Sequence, residues 1–145
     1  MIHKERCIVM DIDGTLCHLR QPGETYAELT PIEPIVETLR KYQEAGFYII
    51  LSTARNMQTH DGNLGRIIAS TAPVLIDWLK RHDIPYDELH FGKPWQGCGG
   101  FYVDDKAVRP SEFLSLGYEE IRGLLDDEQS SLNSQREAAA SGTRE

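Results

Sequence analysis

Four short apolar runs of this chain each end in a cluster of polar residues, and each run is bounded in the way that is typical of a buried strand. The runs cover residues 6–12, 47–53, 89–91 and 101–104. The polar clusters are Asp11–Thr15, Ser52–Arg55, Gly92–Pro94 and Asp104–Asp105. Because the carboxyl ends of parallel strands meet at one edge of a sheet, this repetition predicts that the clusters share one crevice.

The segments between the runs favour helices. Thr30 and Pro31 stand as a cap and a first-turn proline, and apolar residues then recur at helical spacing until Gly46. A second helix is predicted after Thr71, with Pro73 either in its first turn or at a kink, and a third around 118–125. The alternation predicts an α/β fold, a three-layer α/β/α sandwich with a mostly parallel, Rossmann-like sheet.

No segment is long enough to form a large cap over the predicted crevice. Residues 16–29 contain Pro22-Gly23 and predict a loose hairpin or flap, and residues 56–70 predict a polar loop. From Asp127 onward the composition is polar, which predicts a tail that is disordered or weakly helical. We therefore expect one domain over residues 1–126 and a disordered tail over residues 127–145.

Composition narrows the classes of partner. The 23 acidic and 15 basic residues give a formal charge of −8, which disfavours nucleic acid and anionic membranes as general partners. The N-terminal segment has no long apolar run, so no secretory signal is expected. The three cysteines are an odd number without a CxxC pair, which favours a reducing, cytoplasmic location.

The predicted crevice has the groups that phosphoryl transfer needs. Asp11, Asp13 and the pair Asp104–Asp105 would gather carboxylates, which repel one another unless a cation is present. Oxygen ligands without Cys or His suit Mg²⁺. Lys93 adds a positive charge, Thr53 a hydroxyl donor, and the turn after Asp11 backbone N–H groups that can form an anion nest.

These motifs resemble those of the haloacid dehalogenase (HAD) superfamily of phosphatases. The resemblance implies that Asp11 is the nucleophile and a metal ligand, and that Asp13 is the general acid and base, with its carbonyl on the metal. It implies that Thr53, with Ser52 as the alternative, and Lys93 hold the phosphoryl group. Asp104 or Asp105 would complete the Mg²⁺ shell, and which of them binds directly stays open.

The segments 52–57, 91–95 and 101–110 resemble a compact subgroup that is often labelled capsule-biosynthesis phosphatase. This resemblance implies a small phosphorylated metabolite as substrate, a sugar phosphate from polysaccharide synthesis. Capless members accept large substrates or form homo-oligomers to close the site. The candidates for contacting the leaving group are Arg55, Asn56, Arg66 and Trp95. An arginine can grip a second anionic group with two hydrogen bonds.

Two alternative functions stay open at this stage. A nucleic-acid 3′-phosphatase would share the Asp11–Thr15 motif and the acidic pair, but the chain has no dense Lys/Arg run. A catalytically silent HAD fold would serve as a binding module, although every motif residue is present.

Overall fold

A three-stranded parallel sheet organises the first part of the molecule. The computed structural model describes residues 5–142. Its strands are β1 (Cys7–Met10), β2 (Tyr48–Thr53) and β3 (Glu88–Phe91), in the order β1-β2-β3. Ile8 pairs with Ile49 and Leu51 pairs with Leu89, both in parallel register. The predicted α/β class with a parallel sheet is confirmed.

The helices between the strands bury apolar faces at helical spacing. They are α1 (Glu33–Glu44), α2 (Leu64–Ser70) and α3 (Ala72–Arg81), and a 3₁₀ helix covers Tyr26–Glu28. The fully buried side chains include Ile35, Leu39, Ile49, Leu75 and Trp78. Burying a side chain of this size contributes about 1.5–3 kcal/mol. This core fixes the ends of the strands, where the polar clusters lie.

Helix boundaries differ from the prediction in two places. α1 begins at Glu33 with Ile32 as its N-cap and Pro34 in its first turn, so Thr30 is not the cap. The expected loop 56–70 contains α2, whose start is capped by Asn63 accepting a hydrogen bond from the backbone N–H of Arg66. Pro73 lies in the first turn of α3. Of the two positions that the sequence allowed for it, the first turn is therefore the one observed, and not a kink.

The segment between β1 and α1 is a tethered loop, not a hairpin. Its only β contacts among the described residues are single bridges from Cys17 to Asp13 and to Pro31. The indole Nε1 of Trp78 donates to the carbonyl of Leu29 at 2.8 Å, and Arg81 Nη2 donates to the carbonyl of Ala27 at 3.0 Å. The far end of the loop is thereby attached to α3.

The chain divides into two compact units between Gly99 and Gly100. The expected domain over residues 1–126 stays a prediction. The second unit contains α4 (Pro110–Ser115) and α5 (Tyr118–Ser141). The predicted strand at 101–104 is wrong: these residues have no strand pairing, and Phe101 and Val103 are 81 % and 88 % exposed. A strand needs a hydrogen-bonded neighbour, which an apolar run alone does not supply.

Residues 127–141, expected to be disordered or weakly helical, continue α5. No residue of this helix is buried, so its polar composition was compatible with a helix that presents its side chains to solvent. The last residues of the tail, 143–145, lie outside the described residues. Within residues 5–142 no helix combines the length and apolar character that a bilayer span requires.

Candidate active site

The carboxyl ends of the three strands carry three of the four predicted clusters. Asp11 follows β1, Thr53 ends β2, and Lys93 comes two residues after β3. The backbone N–H of Lys93 donates to the carbonyl of Thr53 at 3.1 Å, which extends the β2–β3 pairing to the lysine. Gly92 makes the intervening turn with φ = 83°, a conformation that glycine adopts without strain.

The carboxylate of Asp11 is contacted from two sides and remains accessible. Lys93 Nζ lies 3.3 Å from Oδ1, and Thr15 Oγ1 donates to Oδ2 at 3.2 Å. The side chain of Asp11 is 34 % exposed and that of Lys93 is 24 % exposed. A carboxylate that is oriented by a cation and a hydroxyl, and still open to solvent, has the features of a positioned nucleophile.

Asp13 is paired with an arginine, whereas Asp11 is paired with a lysine. Arg55 Nε donates to Oδ2 at 3.1 Å and Nη2 donates to Oδ1 at 2.9 Å, which is a bidentate pair. The side chain of Arg55 is 1 % exposed and that of Asp13 is 23 % exposed. Each of the two aspartates that follow β1 therefore has its own cation, which offsets the repulsion between them.

A buried thiol also contacts this pair. Cys17 Sγ lies 3.7 Å from Asp13 Oδ1 and 3.7 Å from the carbonyl oxygen of Ile12. Burial raises the pKa of the Cys17 thiol from 9.0 to about 12, and the charge of Asp13 adds to the rise. Cys17 is therefore a protonated thiol at neutral pH.

Four backbone N–H groups of the turn after Asp11 are used inside the turn, and the expected anion nest stays a prediction. The N–H groups of Thr15, Leu16 and Cys17 all point to the carbonyl of Ile12, and the N–H of Gly14 donates to the carbonyl of Cys17 at 2.8 Å. These donors are used inside the turn, since a turn this tight closes on its own carbonyls. The side chains, not these four amides, supply the polar contacts at this point.

The two candidate hydroxyl groups on β2 face opposite sides of the sheet. Thr53 is 1 % exposed, and its Oγ1 accepts a hydrogen bond from the N–H of Arg55 at 3.0 Å. Ser52 is half-buried and lines an open depression of about 480 Å³ together with Val9, His90 and Lys93. The depression touches Lys93 but not the aspartates, so it borders the site without containing it.

Asn56 has a structural role in the loop after β2. Its φ of 61° lies in the left-handed region, which asparagine tolerates better than most residues. Its Nδ2 donates to Thr71 Oγ1 at 2.7 Å, which ties the loop to the start of α3. The predicted substrate contact of Asn56 stays a prediction, as do those of Arg66 and Trp95, both of which are exposed.

Asp104 and Asp105 lie in the second unit and contact other residues of that unit. Asp104 Oδ1 accepts the backbone N–H of Lys106 at 2.7 Å, a local turn contact, and Asp105 accepts a hydrogen bond from Gln129. Their expected role as magnesium ligands stays a prediction.

The donor set in the first unit fits a hard cation. Among residues 5–142 no three His, Cys, Asp or Glu side chains gather in a way that would hold a metal by themselves. Mg²⁺ is usually bound by one or two carboxylates together with waters and substrate phosphate, so it does not require such a cluster. Asp11 and Asp13, with oxygen donors only, match this mode.

Sequence reasoning missed three contributors to the site. Thr15 could have been found, because it closes the Asp11–Thr15 motif and its hydroxyl lies four residues from Asp11. Tyr26, whose ring lies 4.2 Å from the guanidinium carbon of Arg55, has no local signal. Cys17 lies four residues from Asp13, as Thr15 does from Asp11, but it stands outside the motif.

Comparison with protein families covers the first two of these motifs, Asp11–Thr15 and Ser52–Arg55. A family model of haloacid dehalogenase-like hydrolases matches residues 8–64. The crystal structure of an MCSG target from Vibrio cholerae is 46 % identical, with a TM-score of 0.81, over 85 % of this chain and 98 % of that chain. A chain of the Pnkp1/Rnl/Hen1 complex is 24 % identical, with a TM-score of 0.45, over 76 % of this chain and 33 % of that chain. No curated protein matches.

Proposed function

We propose, from the premise that this chain belongs to the haloacid dehalogenase-like hydrolases, that it is a magnesium-dependent phosphomonoesterase with Asp11 as nucleophile. The observation that supports this most directly is the Asp11 carboxylate, which is 34 % exposed and yet oriented by Lys93 and Thr15. A nucleophile needs both features, because it must reach phosphorus along one direction.

The first half of the reaction would transfer the phosphoryl group to the protein. One carboxylate oxygen of Asp11 attacks phosphorus while the bond to the leaving oxygen breaks, and Asp13 gives that oxygen a proton. The product is an aspartyl-phosphate and a free alcohol. Lys93 and the hydroxyl of Thr53 would contact the equatorial phosphoryl oxygens, where negative charge accumulates.

The second half would regenerate the carboxylate. Asp13, now ionised, takes a proton from a water that attacks the phosphorus, and the bond to Asp11 breaks to release inorganic phosphate. Mg²⁺, held by Asp11, the Asp13 carbonyl and an acid of the Asp104–Asp105 pair, would neutralise charge on the phosphoryl oxygens. In this scheme Asp13 acts as acid first and as base second.

We propose a small phosphorylated metabolite, a sugar phosphate of polysaccharide synthesis, as the substrate, and the cytoplasm as the location. The support for the substrate is the resemblance to capsule-biosynthesis phosphatases and the absence of any large insertion between β1 and α1. The support for the location is the odd number of cysteines without a CxxC pair.

The test is a phosphate-release assay on a panel of esters, run with Mg²⁺ and with EDTA. The panel contains p-nitrophenyl phosphate, several sugar phosphates and an oligonucleotide 3′-phosphate. We expect turnover of sugar phosphates that EDTA abolishes and that Asp11→Asn reduces to background, with unchanged thermal unfolding. An Asp11→Asn variant as fast as wild type would overturn the nucleophile assignment. Preference for the oligonucleotide would indicate a 3′-phosphatase, and no turnover at all a silent binding module.

A further inference from the structure

Arg55 is placed to act on Asp13 and not on a bound ligand. Its side chain is 1 % exposed, and two of its three nitrogens donate to the two oxygens of Asp13. The third nitrogen, Nη1, is buried and has no hydrogen-bond partner among the described residues. An arginine that grips a substrate anion needs an accessible pair of donors, and this guanidinium already has its pair in use.

The ring of Tyr26 covers the guanidinium. The guanidinium carbon of Arg55 lies 4.2 Å from the centroid of the ring, well within the range of a cation–π contact. Tyr26 stands in the 3₁₀ helix of the loop that is attached to α3 through Leu29 and Trp78. The arginine is thus held between the carboxylate that it binds and an aromatic ring whose backbone is anchored.

We propose that Arg55 is a positioning residue for Asp13 and that Tyr26 holds Arg55 in place. This inference rests on the proposed function, in which Asp13 moves the proton. Arg55 neither gives nor takes a proton in either half of the reaction. The two hydrogen bonds from Arg55 reach separate oxygens of Asp13, so the carboxyl group is held at two points and its rotation is restricted.

The expected consequence is a loss that depends on the leaving group. Proton donation matters most when the departing oxygen is strongly basic, and it contributes about 10²–10⁴-fold to rates of this kind. A weakly basic leaving group such as p-nitrophenolate needs little help. A misplaced Asp13 therefore slows the hydrolysis of phenyl phosphate more than that of p-nitrophenyl phosphate. A purely structural defect slows both by the same factor.

The experiment measures kcat and KM for these two esters in wild type, Arg55→Lys, Tyr26→Leu and Asp13→Asn. Arg136→Ala, an exposed arginine of α5, is the matched control. We expect Arg55→Lys to lower kcat/KM for phenyl phosphate roughly tenfold more than kcat/KM for p-nitrophenyl phosphate, because kcat/KM reports the first half of the reaction alone. Tyr26→Leu should show the same selectivity with a smaller loss. Thermal unfolding verifies that each variant is folded.

The double variant Asp13→Asn/Arg55→Lys separates this role from an independent one. If Arg55 acts through Asp13, the double variant is no slower than Asp13→Asn alone. Equal losses of kcat/KM for both esters, or additive losses in the double variant, would each overturn the inference while leaving the phosphatase assignment intact. Wild-type protein that hydrolyses neither these esters nor any sugar phosphate of the panel would overturn the phosphatase assignment, on which this inference rests.

Discussion

The ion pair between Lys93 and Asp11, with Nζ 3.3 Å from Oδ1, joins the ends of the two outer strands of the sheet. Asp11 follows β1 and Lys93 follows β3, while β2 lies between them. The pair therefore depends on the registers of both strand pairings, and it brings together residues that are 82 positions apart in the chain.

Replacing Lys93 by alanine should reduce activity far more than stability. The lysine would stabilise charge on the transferring group, and removal of one such donor lowers kcat by roughly 10²–10³-fold. Partly exposed ion pairs contribute only about 0–1 kcal/mol to folding. Steady-state kinetics and urea unfolding of Lys93→Ala measure both effects, with Lys80→Ala on the exposed side of α3 as control. A stability loss without a kinetic one would contradict the assignment.

The two hydroxyls of β2 can be separated by a matched pair of variants. Thr53→Val keeps the shape of a buried side chain but removes the acceptor for the N–H of Arg55, which we expect to lower stability by about 1 kcal/mol. Because Thr53 is also the expected phosphate contact, its loss should weaken inhibition by inorganic phosphate. Ser52→Ala should leave that inhibition unchanged. If Ser52→Ala is the damaging change, the phosphate contact belongs to Ser52 and the depression beside Lys93.

Gly92→Ala should destabilise the protein by about 1–3 kcal/mol. The residue has φ = 83°, which alanine adopts only with strain, and its new Cβ would lie 2.5 Å from Leu64 Cδ2. Leu64 is 49 % exposed and able to move, so the backbone strain should dominate. Gly92→Asn should therefore lose less than Gly92→Ala in thermal unfolding. Gly99→Ala, at a position with nothing within 4 Å of the added atom, is the control and should be neutral.

Stability should fall at alkaline pH because of Cys17. Its pKa is raised from 9.0 to about 12 in the folded protein, mainly by burial. Below the lower value the thiol is protonated in both the folded and the unfolded state, and the contribution of Cys17 to stability is at its maximum. Between the two values the unfolded chain releases the proton first, so the free energy of unfolding decreases by up to about 1.4 kcal/mol per pH unit.

The measurement is the free energy of unfolding of wild type and Cys17→Ala between about pH 8 and pH 10.5. The difference between the two proteins should shrink as the pH rises. Parallel curves would show that Cys17 does not titrate differently on folding. A thiol reagent should modify the exposed Cys7 and Cys98 in the native protein, and Cys17 only after unfolding.

The strands that place Asp11, Thr53 and Lys93 could be predicted from the sequence, because each is an apolar run followed by a cluster of polar residues. The sequence could not predict the neighbours of those strands. Residues 6–12 were expected to form a buried strand, yet among the described strands β1 pairs only with β2 and lies at the edge of the sheet. The run at Phe101–Asp104 looks like β1 in composition, but strand formation depends on a partner that local pattern does not specify.

The site shows the same division between local and distant information. Thr15 acts on Asp11 from four residues away, and the motif includes it. Arg55 was expected at the site as a contact of the leaving group. Its hydrogen bonds to Asp13 span 42 residues, and no local pattern indicates a contact over that distance. At residues 127–141 the polar composition did not decide between disorder and a weak helix, because scarce apolar residues do not prevent a solvent-exposed helix.

The hydrogen bond from Trp78 to Leu29 has an evolutionary consequence. It attaches the C-terminal part of the β1–α1 loop to α3 at Leu29. The bridge from Cys17 to Pro31 connects the first part of the loop to its last part. Residues 19–23 lie between these fixed points and are exposed. Exposed loop tips of this kind accept substitutions and insertions with little effect on folding. Selection for a new substrate can therefore vary this tip while the catalytic aspartates keep their places.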